Sequence, residues 1–203
     1  MINIILFGAG GHCLSCLDVI LNEKKYKIKK IIDKKNKSIQ NYKISKIENL
    51  EKILKISKYA HISFGFIKSS KMRIKFYEKL KKYGFKFPVI KSPRSYVSNS
   101  SKIGEGTILM HDVLVNSECS IGKNCIINTK ALIEHETIIE DHCHISTGAI
   151  VNGNCVIGRG SFIGSGAVIK QGVKVGKNCT IGSNLKINKN IKSNSRVIWT
   201  KLK

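Results

Sequence analysis

Two short strings carry residue types suited to chemistry. The first is Gly8-Ala9-Gly10-Gly11-His12-Cys13, which follows an apolar run and precedes an amphipathic one. It reads as a strand-to-helix turn whose backbone N–H groups and helix N-terminus can hold an anion, with phosphate the natural guest. It begins like the dinucleotide fingerprint GxGxxG, but Cys13 stands where the last glycine belongs. Roughly 90 residues of this pattern also cannot supply both mononucleotide halves of a dinucleotide domain, which argues against NAD. Asp33, ending the next apolar run, is placed to accept a hydrogen bond from a ribose or base, and His12 to touch a phosphate or sugar. A tight turn with no ligand is the competing reading.

The second string is Ile133-Glu134-His135-Glu136, followed closely by Asp141-His142-Cys143-His144. Carboxylates beside imidazoles raise their basicity and fix their tautomer, which is what a general base requires. The bland alternative is a row of solvated side chains. A zinc centre, as in a carbonic anhydrase on a similar scaffold, would need three converging imidazoles. His135 and His144 are nine residues apart and no further pair suits that geometry, so no metal is expected. Cys13-Leu14-Ser15-Cys16 is a lone CxxC at a helix start, and helix packing explains it better than redox work.

The elements that must position these residues fall into two unlike halves. Up to about Ser92, apolar strands alternate with lysine-rich helices: strand Ile2–Phe7, helix Cys13–Asn22, strand Ile28–Asp33, strand Ala60–Phe66, helix Ser70–Tyr83 and short strand Phe87–Ile90. Strands separated by helical crossovers pair in parallel, so residues 1–92 read as a small parallel α/β domain, half of a Rossmann-like unit. From Val97 the period becomes six. Val97, Ile103, Leu109 and every sixth residue to Ile187 are aliphatic, sixteen positions in one unbroken frame. Four residues after each stands a second inward position, mostly small, which absorbs Cys119, Cys125, Cys143, Cys155 and Cys179.

A β-branched residue alternating with a small one every six residues describes a triangular prism, three short strands to a coil. Sixteen hexads make about five coils of a parallel β-helix over residues 97–192, with 193–203 as a tail. In this frame His135 and His144 both leave the prism outward, towards solvent, a neighbouring subunit or a ligand.

Charge and composition narrow the function. The chain has 203 residues, with 36 basic against 13 acidic, a formal charge of +23. Such a balance normally suggests nucleic acid. Only Arg73, Arg94, Arg159 and Arg196 are arginine, however, and aromatics are 7%. Base-edge readers use arginine forks and single-strand binders use aromatic platforms, so no nucleic acid is expected, while a phosphate-bearing small substrate fits. No apolar run approaches the ~20 residues of a membrane span, and Met1–Phe7 is too short for a signal peptide, leaving the cytoplasm as the default.

The Gly8–His12 loop, the short α/β domain and a hexapeptide helix containing Ile133-Glu134-His135-Glu136 and His144-Ile145-Ser146-Thr147-Gly148-Ala149 together resemble one family. It is the bacterial sugar acetyltransferases that group sialic acid O-acetyltransferases with nucleotide-linked 4-amino-sugar N-acetyltransferases. The resemblance implies a left-handed β-helix and a homotrimer with active sites between adjacent prisms, using acetyl-CoA and a nucleotide sugar. It implies His135 as general base, with Glu136 orienting it. Sugar-nucleotide contacts would fall on Gly10, Gly11, His12, Asp33 and Gly65. Acetyl-CoA contacts would fall on His144, Ser165 and Ser183, with the Gly153 N–H as an oxyanion donor. Lys34 departs from the paired acids many relatives carry after the second strand, and Val197-Ile198-Trp199-Thr200-Lys201 replaces their Gly-Pro-Ala ending. A β-helical module without catalysis is the rival from another class.

Overall fold

A computed structural model describes residues 1–34, 38–46 and 49–198, so most of the distinctive tail, Trp199 onward, lies outside the described residues. The N-terminal domain is built on β1 (Ile2–Phe7), whose Ile4, Ile5, Leu6 and Phe7 are fully buried. The glycine turn leads into α1 (Gly11–Glu23), then β2 (Tyr26–Ile32), a hairpin of β3 (Ser38–Ile39) and β4 (Tyr42–Ser45), α2 (Leu50–Ile56), β5 (Ala60–Ile62) and α3 (Lys71–Lys82). The sheet order is β3-β4-β2-β1-β5, parallel except for the hairpin.

The third predicted strand is cut short after Ile62. Arg73 captures the carbonyls of Ile62 and Phe64, and Ser63 Oγ donates to Gly8 O at 2.6 Å, so the chain leaves the sheet as a loop that doubles back on the glycine turn. The predicted strand Phe87–Ile90 also divides. Phe87 packs with Phe7, Leu80 and Phe85 in the α/β domain, whereas Ile90–Lys91 already pairs with Ile108–Leu109 in the column.

The column has three parallel faces. The first runs through seven strands from Ile90–Lys91 to Arg196–Val197, the second through six from Tyr96–Val97 to Lys186–Ile187, and the third through five from Lys102–Ile103 to Lys174–Val175. It therefore makes about six turns rather than the expected five. Lys91 sits one step before Val97, and a lysine there hid the first strand from a search for aliphatics. At the other end the repeat loses two residues: Ile169 pairs with Ile187, but Val175 bridges Ile191 and Ile181 pairs with Val197.

Inside the column the aliphatic positions from Leu109 to Ile181 are buried at 2% exposure or less. The small positions do more than fill space. Thr107 Oγ1 donates to Gly122 O at 2.7 Å and accepts from Cys125 N–H of the next coil, and Ser161 does the same with Gly176 O and Cys179 N–H. The thiols follow: Cys143 Sγ lies 3.2 Å from Gly158 O and Cys155 Sγ 3.1 Å from Lys170 O. A thiol is a weak donor as well as a compact hydrophobe, and here it takes up a turn carbonyl that faces inward.

No helix among the described residues is long and apolar enough to cross a membrane. Ile157, fully buried in mid-column, should lose about 2–5 kcal/mol of stability on substitution to alanine, because the rigid coils above and below cannot collapse into the void. Urea unfolding of Ile157→Ala against the parent chain measures this.

Candidate functional site

The glycine turn is shaped from below. Gly8 has φ +111°, and a Cβ there would sit 3.0 Å from the Phe64 ring, so this glycine is required by the fold. Gly10 and Gly11 are different: a Cβ at either would meet no protein atom within 4 Å. Their missing side chains leave open the approach to the N-terminus of α1, whose first turn carries no acidic residue. Asp33 accepts the Ala9 N–H at 2.7 Å, so its carboxylate holds the turn in shape as well as standing at the end of β2.

A cleft of ≈ 610 Å³ opens between this turn and the column. Gly11, His12, Ser15, Gly65 and Phe66 form one wall; Asn128, Thr129, His144 and Thr147 form the other. Among the described residues, no lysine, arginine, aspartate or glutamate lines it, in a chain of charge +23. Its imidazoles are held neutral as well. Burial first, and the Arg73 guanidinium second, push His12 down to about 3; burial pushes His144 down to about 4. His144 Nδ1 donates to Phe66 O at 2.8 Å, leaving Nε2 as an acceptor.

Arg73 deserves its influence. It is 1% exposed, with no carboxylate partner among the described residues, and Nη1 donates to Ile62 O at 2.8 Å and Phe64 O at 2.6 Å. Sequence offered no sign of it, since nothing in the helix pattern of α3 marks an inward arginine.

A second cleft of ≈ 280 Å³ adjoins the first and shares His144 and Ile67 with it. It gathers His144, Ser165 and Ser183 with Phe162, Lys68 and Arg196. The three residues expected at acetyl-CoA are thus neighbours, as are Gly11, His12 and Gly65 in the first cleft. His144 leaves the prism outward as expected, yet it is only 7% exposed because Phe66 and Phe162 cover its ring.

His135 stands elsewhere. Its Nδ1 is 3.1 Å from Glu136 Oε2, and its side chain is 43% exposed. Gly153, one coil further on, lies beneath the ring: a Cβ at 153 would fall 2.6 Å from both Cε1 and Nε2. The pair sits at the corner between the second and third faces, whereas both clefts lie on the first face and its corner with the second. One chain therefore does not bring His135 to either cleft. The other acid–imidazole string is not a working pair, because Asp141 Oδ1 accepts from Lys123 N–H, and His142 is buried beneath α3 against Asn124 and the Tyr77 ring. Among the described residues, no group of three His, Cys, Asp or Glu side chains could hold a metal ion.

Residues 3–80 match the PglD N-terminal domain, and residues 136–171 and 154–189 match the bacterial transferase hexapeptide of six repeats. The chain thus joins a PglD N-terminal domain to bacterial transferase hexapeptide repeats and resembles the hexapeptide-repeat sugar acetyltransferases. Among solved structures, the acetyltransferase domain of PglB from Neisseria gonorrhoeae is 28% identical, with TM-score 0.86 over 97% of this chain and 96% of that one, and it has also been solved with acetyl coenzyme A. A perosamine N-acetyltransferase variant from Caulobacter crescentus, solved with CoA and GDP-perosamine, is 22% identical, with TM-score 0.90 over 97% of this chain and 93% of that one. WeeI from Acinetobacter baumannii is 21% identical, with TM-score 0.76 over 98% and 97%. No curated protein matches the chain.

Two outcomes follow from this geometry. Gly153→Ala should displace the exposed His135 ring by about an ångström with little change in melting temperature and, with His135 as the base the resemblance implies, lower acetyl transfer about 100-fold; steady-state kinetics and a thermal melt test it. His142 and His144 ionise at about 4 when folded, against an ordinary 6.5. The unfolded chain takes up these protons first as pH falls, so their stabilisation is complete above about 6.5 and is lost between about 6.5 and 4. Urea midpoints should drop through that window, and less so in His142→Phe.

Proposed function

We propose that the protein transfers the acetyl group of acetyl-CoA to the amino group of a nucleotide-linked amino sugar, as a homotrimer with His135 as general base. The observation that carries this reading is the pair of abutting clefts with His144 as their common wall. The larger is polar and uncharged, which suits a hydroxyl-rich sugar, and it opens beside a helix N-terminus suited to the phosphates. The smaller is bordered by Lys68 and Arg196, which suits the phosphates of coenzyme A.

A second copy supplies the missing base. The second face of the column carries an outward apolar row, Tyr96, Leu114, Leu132, Ile150 and Val168, stacked one per coil, with Tyr96 60% and Leu114 37% exposed. Covering this row with a neighbouring prism would bring the His135 corner of one copy towards the clefts of the next.

Chemistry then follows from the residues present. The sugar amine attacks the thioester carbonyl while His135 Nε2 takes its proton, and Glu136 at Nδ1 supports the imidazolium that forms. The Gly153 N–H, which donates to no protein acceptor among the described residues, faces the developing oxyanion. Collapse expels the coenzyme A thiolate, which regains the proton from His135. The products are the N-acetyl sugar nucleotide and free coenzyme A. All seven cysteines are unpaired, which supports a reducing, cytoplasmic setting.

His135→Ala should lower turnover by about 100- to 10,000-fold without lowering the melting temperature. Release of free thiol from acetyl-CoA, measured over a panel of sugar nucleotides with and without a free amine, is the test. Normal turnover by the variant, or equal rates on sugars bearing only hydroxyls, contradicts the proposal.

A further inference from the structure

The sugar cleft has a floor that neither the family match nor the reaction assigns. Gly11, Ser15 and Asp18 stand at i, i+4 and i+7 of α1 and so share one helix face. Opposite them, His111, Thr129 and Thr147 occupy the same corner position in three consecutive coils, linked by Lys130 N–H to His111 O at 3.0 Å and Gly148 N–H to Thr129 O at 2.9 Å. Gly11 and Ser15 face Thr147 and Thr129 across the open cleft. One step below, the gap closes: His111 Nε2 donates to Asp18 Oδ2 at 2.6 Å, between residues 93 apart in the chain.

The same ring is gripped from behind. His111 Nδ1 lies 2.7 Å from Ser92 Oγ, and Ser92 is fully buried where the chain enters the column. A serine, histidine and aspartate in this order invite a nucleophile reading. It fails, because Ser92 has no exposed surface and its Oγ already accepts the Arg94 N–H at 3.1 Å. What the chain of contacts does is fix the orientation of the His111 ring, and through it the distance between α1 and the column corner. The apolar face of α1, with Cys13, Cys16, Leu17 and Ile20, packs on the opposite side, so Asp18–His111 is the polar restraint on the face that lines the cleft.

We propose that Ser92, His111 and Asp18 form a strut that sets the width of the sugar cleft, with His111 and Asp18 as positioning residues for the sugar nucleotide. An exposed imidazole–carboxylate contact contributes little to stability, and Asp18 is 61% exposed, so the consequence is geometric: loss of the strut lets the first turn of α1 move away from Thr129 and Thr147. The kinetic consequence rests on the acetyl-transfer reading above; the structural one does not.

The test uses the full chain with Asp18→Ala, His111→Phe and the conservative Asp18→Asn, whose amide oxygen can still accept from Nε2–H. Amide hydrogen exchange across Gly11–Glu23, without substrate, should quicken about tenfold in the first two variants and not in Asp18→Asn, with the column amides unchanged. In steady-state kinetics the KM for the sugar nucleotide should rise about tenfold in Asp18→Ala and His111→Phe, with kcat and the KM for acetyl-CoA within about twofold of the parent and Asp18→Asn near normal. Unchanged exchange in α1 overturns the strut, as does a sugar KM that stays constant in Asp18→Ala. Should the parent chain turn over no sugar nucleotide, the acetyl-transfer reading fails, and the exchange comparison alone decides the strut. Should His111→Phe fail to fold, Asp18→Ala, altered on an exposed helix face, carries the comparison.

Discussion

Everything in the column depends on the stacking of each coil on the one below, in which residues 18 apart pair and backbone hydrogen bonds join residues 17 or 19 apart. Up to Ile187 every coil has the same perimeter, so these bonds keep one register, and the interior has room for one aliphatic and one small side chain at each step. The small position cannot be merely small, because turn carbonyls point inward there and an unpaired buried carbonyl is costly. Thr107, Thr137 and Ser161, and the thiols between them, answer that demand. The mixture of Ser, Thr and Cys at one frame position is therefore a hydrogen-bonding requirement, with packing as its second condition.

Once the interior is fixed, the corners become a ruler. Side chains at equivalent corner positions repeat coil by coil, so residues 18 apart face the same way and stand one coil apart. His111, Thr129 and Thr147 form one such ladder, and His135 over Gly153 forms another. The second ladder explains why glycine belongs at 153: the coil spacing leaves an imidazole no room above a Cβ. The first explains how a helix from another domain can be held at a set height against the column, since Asp18 meets its partner at a step the coil spacing determines.

The period-six frame was legible because β-branched residues recur without a slip from Val97 to Ile187, a pattern no other fold demands. The ends of the column were not. At Lys91 the outer rim tolerates a long amphipathic side chain in an aliphatic slot, and after Ile187 the coil shortens by two residues. In the α/β domain, β1 and α1 were readable from the glycine turn between them. The hairpin at Ser38–Ser45 and α2 at Leu50–Ile56 lay in a lysine-rich stretch without clean periodicity, where tertiary packing of a few residues such as Ile44, Leu50 and Ile53 decides the outcome. Of the site, the residues with distinctive chemistry could be named from spacing and resemblance. Phe66, Asn128 and Arg73 could not, because their roles come from a loop folding back across the column, a contact with no local signature.

The distribution of charge gives the site its character. In a chain of +23, no lysine, arginine, aspartate or glutamate among the described residues lines the larger cleft, and the fully buried Arg73 lies behind its wall. Its guanidinium holds two backbone carbonyls of the loop bearing Gly65, and its field adds to burial in keeping His12 and His144 unprotonated. A neutral imidazole keeps a lone pair on one nitrogen, so it can accept from a hydroxyl, which an imidazolium cannot. On the proposed reading, phosphate recognition falls to the N-terminus of α1 and, at the smaller cleft, to Lys68 and Arg196, and the interior of the larger cleft is kept for groups that are polar and uncharged. On the function proposed above, that division would separate the two ends of a sugar nucleotide by electrostatics before any shape is read.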